Sequence, residues 1–419
     1  VFAGHGIFSP EFKRNDYKGV DARGKFVVVL GGPPNDLPPD VAAHLGTPSS
    51  QVREAVAHGA TGIIFIYTNV LEQRFPFARM PQITRQPDLT WYDPAVARPD
   101  QPEIRAAIFI DQKGAASLFK GAKLTFDQVL ANAVHGAQPG FDLASKASFS
   151  RHSKIDPIES ANVAGLVRGS DPALRNEVVV VTSHLDHVGI GTAVNGDTIY
   201  NGALDNASGV ASMLEVARLV AAHPPKRSVL FLAVTAEEKG LVGSDYFARK
   251  PTVLKDDIVG VVNIDGVMAF YDFTSVIGYG MENSTMIEPL SRAAQSMQLS
   301  LMRDPKPELS IFTRSDHYPF VKQGIPAIFL LMGDGRGADG RSGLQINDDW
   351  DDKHLHQPSD DLSQPLQYPV FARFTELFRR FIVETANMEQ RPRWYEGDYF
   401  GNAFAKSSPK AKLPRKGGQ

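Results

Sequence analysis

The chain has 419 residues, of which 42% are hydrophobic and 22% are charged, with a formal net charge of −3. This composition is typical of a globular protein of two or three domains, and it lacks the basic excess of most nucleic-acid-binding proteins. There is no cysteine, which excludes disulfides, thiolate nucleophiles and cysteine-ligated zinc, so any metal must be held by His, Asp and Glu.

Residues 1–152 are predicted to form a first unit. Short β-like segments, KFVVVLG, GIIFIYT and AAIFIDQ, are separated by Pro- and Gly-rich loops, and the helical segment SQVREAVAHGA leads into GIIFIYT. Acidic and histidine residues form no pair that suggests chemistry there. We therefore look for the functional site elsewhere in the chain.

Residues 153–390 alternate predicted strands with predicted helices. EVVVVTS at 177–183 is a β-branched segment typical of a strand buried on both faces. SVLFLAVT, DIVGVVNID and PAIFLLM indicate further strands, and residues 365–388 a long amphipathic helix. This alternation predicts a three-layer α/β/α domain with a mixed, mostly parallel sheet. The apolar segments are too short for a membrane span, so we expect none.

Residues 208–222 are predicted to form another amphipathic helix. With a period of 3.6 residues, one face is expected to pack against the core. That face comprises Val210, Met213, Leu214, Ala217 and Ala221. The N-cap is predicted to be Ser208 or Asn206.

Two segments carry no predicted chemistry. Residues 333–353 form a Gly- and Asp-rich insertion, which a lid or a calcium loop would explain. Because it lacks the D-x-[DN]-x-[DN]-G spacing of a calcium loop, a flexible loop is favoured. Residues 391–419 form a C-terminal tail that ends in the basic, low-complexity sequence KSSPKAKLPRKGGQ, and we expect that end to be disordered.

Acidic and histidine residues follow the predicted strands at their carboxyl ends, where an α/β sheet binds its ligands. In chain order they are His184, Asp186, Asp205, Glu237, Glu238, Asp265 and His356. Each one taken alone is explained by a turn cap or a solvated helix start. Their occurrence at successive strand ends instead favours a site for one or two zinc ions.

The spacing of these residues suggests their roles. His184 and Asp186 are two apart on an extended segment, so both side chains point the same way, and the Asp186 carboxylate is expected to accept the second ring N–H of a metal-bound His184. Asp205 has two oxygens with which to bridge two metal ions. Of the neighbours Glu237 and Glu238, one is expected to bind metal and the other to act as general base.

Six motifs in this order, SHLDHVG, NGALDNASGVASMLEVAR, TAEEKGLVGSDYF, NIDGV, SDHYPFVKQGIPAIFL and HQPSDD, resemble the M28 family of zinc aminopeptidases. The resemblance implies an exopeptidase that hydrolyses the N-terminal bond of a peptide with a free N-terminus. It implies a water activated by two zinc ions, with Glu237 as general base and Asp186 behind His184. The implied ligand sets are His184, Asp205 and Glu238 for one ion, and Asp205, Asp265 and His356 for the other.

The first unit, with VFAGHGI, DYKGVDARGKFVVVL and AVAHGATGIIFIY, resembles the β-rich protease-associated (PA) domain that many family members carry as an insertion. Members with this insertion are mostly exported, and residue 1 is Val rather than Met. The resemblance thus implies a periplasmic or extracellular protein whose signal peptide is absent from this sequence. It also implies that a segment of the catalytic domain precedes residue 1.

Arg314, Asp316 and His317 are predicted to lie at the wall of the substrate pocket. In the family pattern the histidine of the second metal belongs to an HxxxD motif, which here is His356 to Asp360, rather than to SDHY. This assignment leaves His317 without a metal-binding role.

Three further residues concern the details of the site. His354 is the rival ligand if the register of the HxxxD motif differs. His187 follows Asp186 and is predicted to point to the opposite face, in a structural role. The family often supplies a tyrosine to the oxyanion, and near the expected position this chain has Phe312, which lacks a hydroxyl.

Two alternatives to the aminopeptidase remain open. The same fold serves carboxypeptidases of acidic dipeptides, for which Arg314 and Arg336 are the nearby arginines, and single-zinc glutaminyl cyclases. A non-catalytic binding protein with a PA domain is the other alternative. The presence of every ligand type and of the base argues against it.

Overall fold

The computed structural model describes residues 1–81, 86–95 and 104–414. The described residues divide into two compact units. The first comprises Val1–Pro87, Pro94–Ile158 and Lys306–Thr313, and the second comprises Asp88–Asp93, Glu159–Pro305 and Arg314–Gln419, as far as these ranges are described. Among the described residues, no helix is long and apolar enough to cross a membrane.

The first unit is centred on a three-stranded parallel sheet in the order β3-β4-β5. Its strands are β1 (Phe8–Ser9), β2 (Arg14–Asn15), β3 (Phe26–Leu30), β4 (Gly62–Ile66) and β5 (Ala106–Ile110). Its helices are α1 (Pro39–Leu45), α2 (Pro48–Ala57), α3 (Asn69–Arg74), α4 (Gln112–Leu118) and α5 (Phe126–Ala133). The described part of this unit therefore contains more helix than the β-rich unit that we expected.

Strand β3 shows why an unbroken apolar segment forms a buried strand here. Successive side chains point to opposite faces of the sheet. Val28 and Leu30 pack into one apolar cluster of this unit, and Val27 and Val29 pack into the other. Both faces of the strand are thereby covered, so no polar alternation is required.

The second unit contains a seven-stranded mixed sheet in the order β14-β13-β15-β11-β7-β10-β6. Its four central strands, β15, β11, β7 and β10, are parallel to one another. The strands of the sheet are β6 (Val163–Val167), β7 (Val178–His184), β10 (Ser228–Val234), β11 (Ile258–Asn263), β13 (Ser275–Tyr279), β14 (Ser300–Met302) and β15 (Ala327–Met332). Two small pairs lie outside it, β8 (Gly189–Val194) with β9 (Asp197–Tyr200), and β12 (Asp272–Phe273) with β16 (Gly335–Arg336).

Helices cover both faces of this sheet, which gives the three-layer α/β/α architecture and the mostly parallel sheet that the sequence predicts. The helices of this unit are α6 (Ser208–Ala222), α7 (Val242–Arg249), α8 (Ile287–Gln295), α9 (Tyr318–Val321), α10 (Gly343–His354), α11 (Tyr368–Ala386) and α12 (Tyr399–Phe404). Helices α6, α8 and α11 share the large apolar cluster on one face. Helices α7 and α9 pack together, with the Phe247 and Phe320 ring centroids 6.2 Å apart.

The buried face of α6 differs from the predicted one. The helix buries Met213 as expected, but Leu214 is 62% exposed and Ala221 is exposed as well. The buried face instead comprises Ser208, Gly209, Ser212, Met213, Val216 and Val220. Small residues on this face permit a close approach to α11, where the hydroxyls of Ser212 and Thr375 lie 2.9 Å apart.

The insertion and the tail are more ordered than the sequence suggests. The insertion at 333–353 contains β16 and most of α10, so the flexible loop that we favoured is wrong. In the tail, Trp394 and Phe400 are buried, and Tyr395 forms a β-bridge with Ala411. Residues 415–419 lie outside the described residues, so the expected disorder of the basic end stays a prediction.

A buried histidine makes the first unit sensitive to pH. His5 is 8% exposed, and its Nδ1 lies 3.2 Å from the Gly32 carbonyl oxygen. Burial, together with the nearby positive charge of Arg14, lowers the pKa of His5 from 6.5 to about 4. Between these two values the unfolded chain binds a proton that the folded unit does not, so stability decreases as the pH falls from 6.5 to 4.

We expect His5→Asn to remove this dependence. At pH 5 the wild-type first unit should be about 2 kcal/mol less stable than at pH 7 because of His5. The measurement is hydrogen exchange of the β3 amides at the two pH values, corrected for intrinsic exchange rates. His135→Asn, at an exposed histidine of the same unit, is the control. An unchanged pH dependence in His5→Asn would contradict the assignment.

Candidate metal centre

Three parallel strands carry the predicted residues to one edge of the sheet. His184 ends β7, the pair Glu237 and Glu238 follows β10, and Asp265 follows β11. Because these strands are adjacent and parallel, their carboxyl ends meet at the same edge. The turn Ala203–Ala207 before α6 carries the fourth carboxylate, Asp205.

Asp205 lies between two histidines. Its Oδ1 is 3.2 Å from His184 Nε2, and its Oδ2 is 3.2 Å from His356 Nε2. His184 Nε2 also lies 3.1 Å from Asp265 Oδ1, and His356 Nε2 lies 3.1 Å from Glu238 Oε2. The two oxygens of one carboxylate thus face two separate groups of nitrogen and oxygen atoms.

This geometry corrects the ligand sets that the resemblance implies. His184 is grouped with Asp205 and Asp265, and His356 is grouped with Asp205 and Glu238. The expected pairing of Glu238 with His184, and of Asp265 with His356, is therefore wrong. Asp205 keeps its expected position between the two groups, whereas Glu238 and Asp265 exchange places.

The residues present fit divalent metal ions. Two groups have ligand atoms within 4.8 Å of one another, His184 with Asp205 and Asp265, and His187 with Asp205 and Glu238. The side chains of Asp205 and Glu238 are only 10% and 9% exposed. Carboxylates buried this close repel one another unless a cation lies between them, and imidazole with carboxylate is a donor set typical of zinc.

The electrostatic field of the site favours positive charge. Burial lowers the pKa of His184, but the carboxylates of Asp265 and Asp205 outweigh it and hold this pKa well above its ordinary value. Burial likewise opposes the charge on His356, and Asp205 and Glu238 raise its pKa well above the ordinary value. A field that stabilises two imidazolium rings also attracts metal cations.

Asp186 supports the site differently from the prediction. His184 Nδ1 lies 3.0 Å from the backbone carbonyl oxygen of Asp186 and 3.9 Å from its Oδ1. The Asp186 carboxylate instead accepts hydrogen bonds from the backbone N–H groups of Glu237 and Glu238, at 3.0 and 3.2 Å. The residue before this pair, Ala236, has a φ of 56°, a conformation that needs such support.

A chain of buried hydrogen bonds orients Asp265. The Ser315 hydroxyl donates to Asp265 Oδ2 at 2.5 Å, and Ser315 Oγ accepts from Asn263 Nδ2 at 2.7 Å. Asn263 Oδ1 in turn accepts from the Thr182 hydroxyl at 2.7 Å. Our sequence analysis missed Ser315 and Asn263, although both lie inside the quoted motifs SDHY and NIDGV.

Two residues that the sequence analysis named in other roles, Asp360 and Asn206, position Asp205. The buried Asp360 carboxylate accepts the backbone N–H groups of Leu204 and Asp205, at 2.8 and 3.1 Å. Asn206 donates to Ser183 Oγ and to the Ile264 carbonyl oxygen, at 3.0 and 3.1 Å. Asn206 therefore joins the ends of β7 and β11 to the start of α6.

The predicted pocket residues are partly or fully buried. Asp316 and His317 are both fully buried, and burial raises the pKa of Asp316 to about 7. Arg314 is half-buried, and its positive charge acts on Asp351. The placement of these residues in a pocket wall stays a prediction.

The other two histidines of the motifs behave differently from each other. His354 Nδ1 lies 2.8 Å from the Ser359 hydroxyl, and His356 rather than His354 contacts the carboxylates. His187, which the sequence predicts to face away, has its Nδ1 2.9 Å from Glu238 Oε1. The strand ends at His184, so the alternation that we applied to His187 no longer holds there.

Comparison with known families identifies the family of this chain. The pattern of peptidase family M28 matches residues 162–382, which is more than half of the chain. The chain therefore belongs to peptidase family M28.

Individual relatives are more distant. A probable zinc metalloprotease of Pyrenophora tritici-repentis (strain Pt-1C-BFP) is 36% identical over 204 residues, covering 41% of this chain and 42% of that protein. An aminopeptidase of Pseudomonas aeruginosa (strain UCBPP-PA14) is 31% identical over 184 residues, covering 42% of this chain and 31% of that protein. The chain spans less than half the length of these curated relatives. Among solved structures, an aminopeptidase from Aneurinibacillus sp. strain AM-1 is 21% identical, with 92% of this chain and 73% of that chain covered and a TM-score of 0.47.

Gly209 is required where Asn206 joins the strands to α6. The Asn206 Oδ1 accepts hydrogen bonds from the backbone N–H groups of Gly209 and Gly266, at 3.0 and 3.1 Å. A Cβ at position 209 would lie 2.0 Å from that oxygen and 2.8 Å from Ser183 Oγ. No side chain fits there without displacing Asn206.

We expect Gly209→Ala to destabilise the second unit by about 1–3 kcal/mol, as overpacking typically does. Urea denaturation followed by tryptophan fluorescence measures this, since all three tryptophans lie in the second unit. The matched control is Gly165→Ala, because a Cβ at that position meets nothing within 4 Å. Equal unfolding midpoints for the two variants would contradict the close packing around Asn206.

Proposed function

We propose that this protein is a zinc-dependent aminopeptidase that hydrolyses the N-terminal peptide bond of its substrate. Membership of family M28 supports peptide hydrolysis. The observation that carries the proposal is the position of Asp205, which directs one oxygen to each of two histidine and carboxylate groups. A carboxylate shared in this way suits a pair of metal ions.

The contacts support one zinc ion held by His184, Asp205 and Asp265 and another held by Asp205, Glu238 and His356. When bound, such ions would polarise a carbonyl group, and they would lower the pKa of bound water to near neutrality. The names of the two relatives, a zinc metalloprotease and an aminopeptidase, agree with this proposal.

In this proposal Glu237 is the general base. Burial and the nearby carboxylates of Asp316, Asp265 and Glu238 raise its pKa well above the ordinary value, and a general base acts best with a pKa raised toward the operating pH. The Asp186 carboxylate holds the backbone of Glu237. Glu237 takes a proton from the attacking water and then donates it to the leaving amine, so that no protein nucleophile is needed.

We further propose that residues 1–152 form a PA domain, residues 153–390 the peptidase domain and residues 391–419 a C-terminal tail. The protein is proposed to act outside the cytoplasm, in the periplasm or the extracellular space. Both proposals rest on the resemblance of the first unit to PA domains.

The test of the function is the hydrolysis of a panel of aminoacyl-nitroanilides, with and without a chelator and with zinc restored. We expect chelation to abolish release of nitroaniline and zinc to restore it. Because the panel varies only the side chain, the same assay reports the side-chain preference. Hydrolysis that survives chelation would refute the zinc mechanism. Inactivity on every free-amino substrate, with zinc bound, would refute the aminopeptidase and favour a carboxypeptidase or a cyclase.

Glu237→Gln tests the base. The amide keeps the shape of the side chain but cannot accept the proton, so kcat should fall by at least about 100-fold while the zinc content stays unchanged. Activity assays and elemental analysis of the same preparation measure both quantities. Glu215→Gln, at an exposed glutamate paired with Arg218, is the control for the loss of one negative charge. Substantial activity in Glu237→Gln would disprove its role.

A further inference from the structure

His187 lies inside the candidate metal centre, although the sequence predicts only a structural role for it. Its Nδ1 is 2.9 Å from Glu238 Oε1 and 3.7 Å from Asp205 Oδ2. Its ring centroid is 5.7 Å from that of His356, and its side chain is 8% exposed. A third imidazole thus faces the same carboxylates as His356.

The polar atoms of this contact are deeply buried. Both ring nitrogens of His187 and Oε1 of Glu238 are buried, and none of the three meets the full hydrogen-bond geometry with a described residue. The 2.9 Å contact between Nδ1 and Oε1 brings the two atoms close without hydrogen-bond alignment. A buried polar atom left unsatisfied typically costs about 1–3 kcal/mol, and a cation in contact with both Nδ1 and Oε1 would remove that cost.

The backbone around His187 is shaped to admit its ring. Gly202 has a φ of 65°, and a Cβ there would lie 2.6 Å from His187 Cγ and 2.8 Å from His187 Cβ. Glycine is thus required at 202 both by the backbone conformation and by the space that the imidazole occupies. The close contact with Gly202 therefore fixes the position of the imidazole ring.

We infer that His187 is a fourth protein ligand of the zinc ion held by Glu238 and His356. This inference rests on the proposed function, since it requires that the site binds zinc. Nδ1 is the atom assigned to the metal, because it is the ring nitrogen nearest to Glu238 and Asp205. A cation shared by Nδ1 and Oε1 satisfies both buried atoms at once.

The consequence is that the two zinc sites differ. The group of His184 has three protein ligands, which leaves a position open for water or substrate. The group of His356 has four, namely His187, Asp205, Glu238 and His356, one more than the group of His184. The His356 site is therefore expected to hold its ion more firmly than the His184 site.

The test is zinc binding by His187→Ala and His187→Phe in the full chain. The phenylalanine variant keeps a ring against Gly202, so it separates loss of the nitrogen from loss of packing. His223→Ala is the control, because His223 is exposed and lies at the opposite end of α6 from Asn206. Competition with a chromophoric chelator gives the dissociation constant of each zinc ion, and X-ray absorption spectroscopy gives the number of imidazoles per zinc.

We expect the wild type and His223→Ala to bind two zinc ions with three imidazoles between them. Both His187 variants should lose one imidazole and weaken one zinc ion by at least about tenfold, with the other ion unchanged. Two unchanged dissociation constants would overturn the inference while leaving the proposed function intact. A weakened site that keeps the wild-type imidazole count would also overturn it, since His187 would then only position Glu238. A wild type that binds no zinc would refute both the proposed function and the inference.

Discussion

The constraint on which the site depends is the burial of several carboxylates at one edge of a parallel sheet. Asp205, Glu238 and Asp265 converge within hydrogen-bond distance of two imidazoles. Their mutual repulsion is severe in a poorly hydrated environment. Positive charge from imidazolium or metal ions compensates it, so the folding of this edge and its affinity for cations have the same physical origin.

Each carboxylate is held by a partner from a different part of the chain. The Asp360 carboxylate accepts the backbone N–H of Asp205. The Asp186 carboxylate accepts the backbone N–H groups of Glu237 and Glu238. The Ser315 hydroxyl donates to the side chain of Asp265. These supports lie on loops that the sheet brings together. A site whose groups are held from several parts of the chain keeps its geometry better than a site on one loop. The reason is that the movement of a single loop does not displace all of the groups.

Much of the fold was predictable because its signals are local. The strands from EVVVV and SVLFLAV and the helix at 208–222 occur where the sequence predicts them, since β-branched runs and the 3.6-residue period act within a few residues. The buried face of α6 was not predictable in this way. Ser208, Gly209 and Ser212 are buried because α11 approaches closely, and that approach is set by helices distant in sequence.

The sequence by itself determined the family, the mostly parallel α/β sheet and the set of histidines and carboxylates at the strand ends, because residue type and order along strands are local properties. Only the tertiary structure decided how these groups pair. The loops after the strands bring Asp265 to His184 and Glu238 to His356, and His187, beyond the end of β7, lies against Glu238. Such pairings depend on distances between segments far apart in the chain, which side-chain periodicity does not encode.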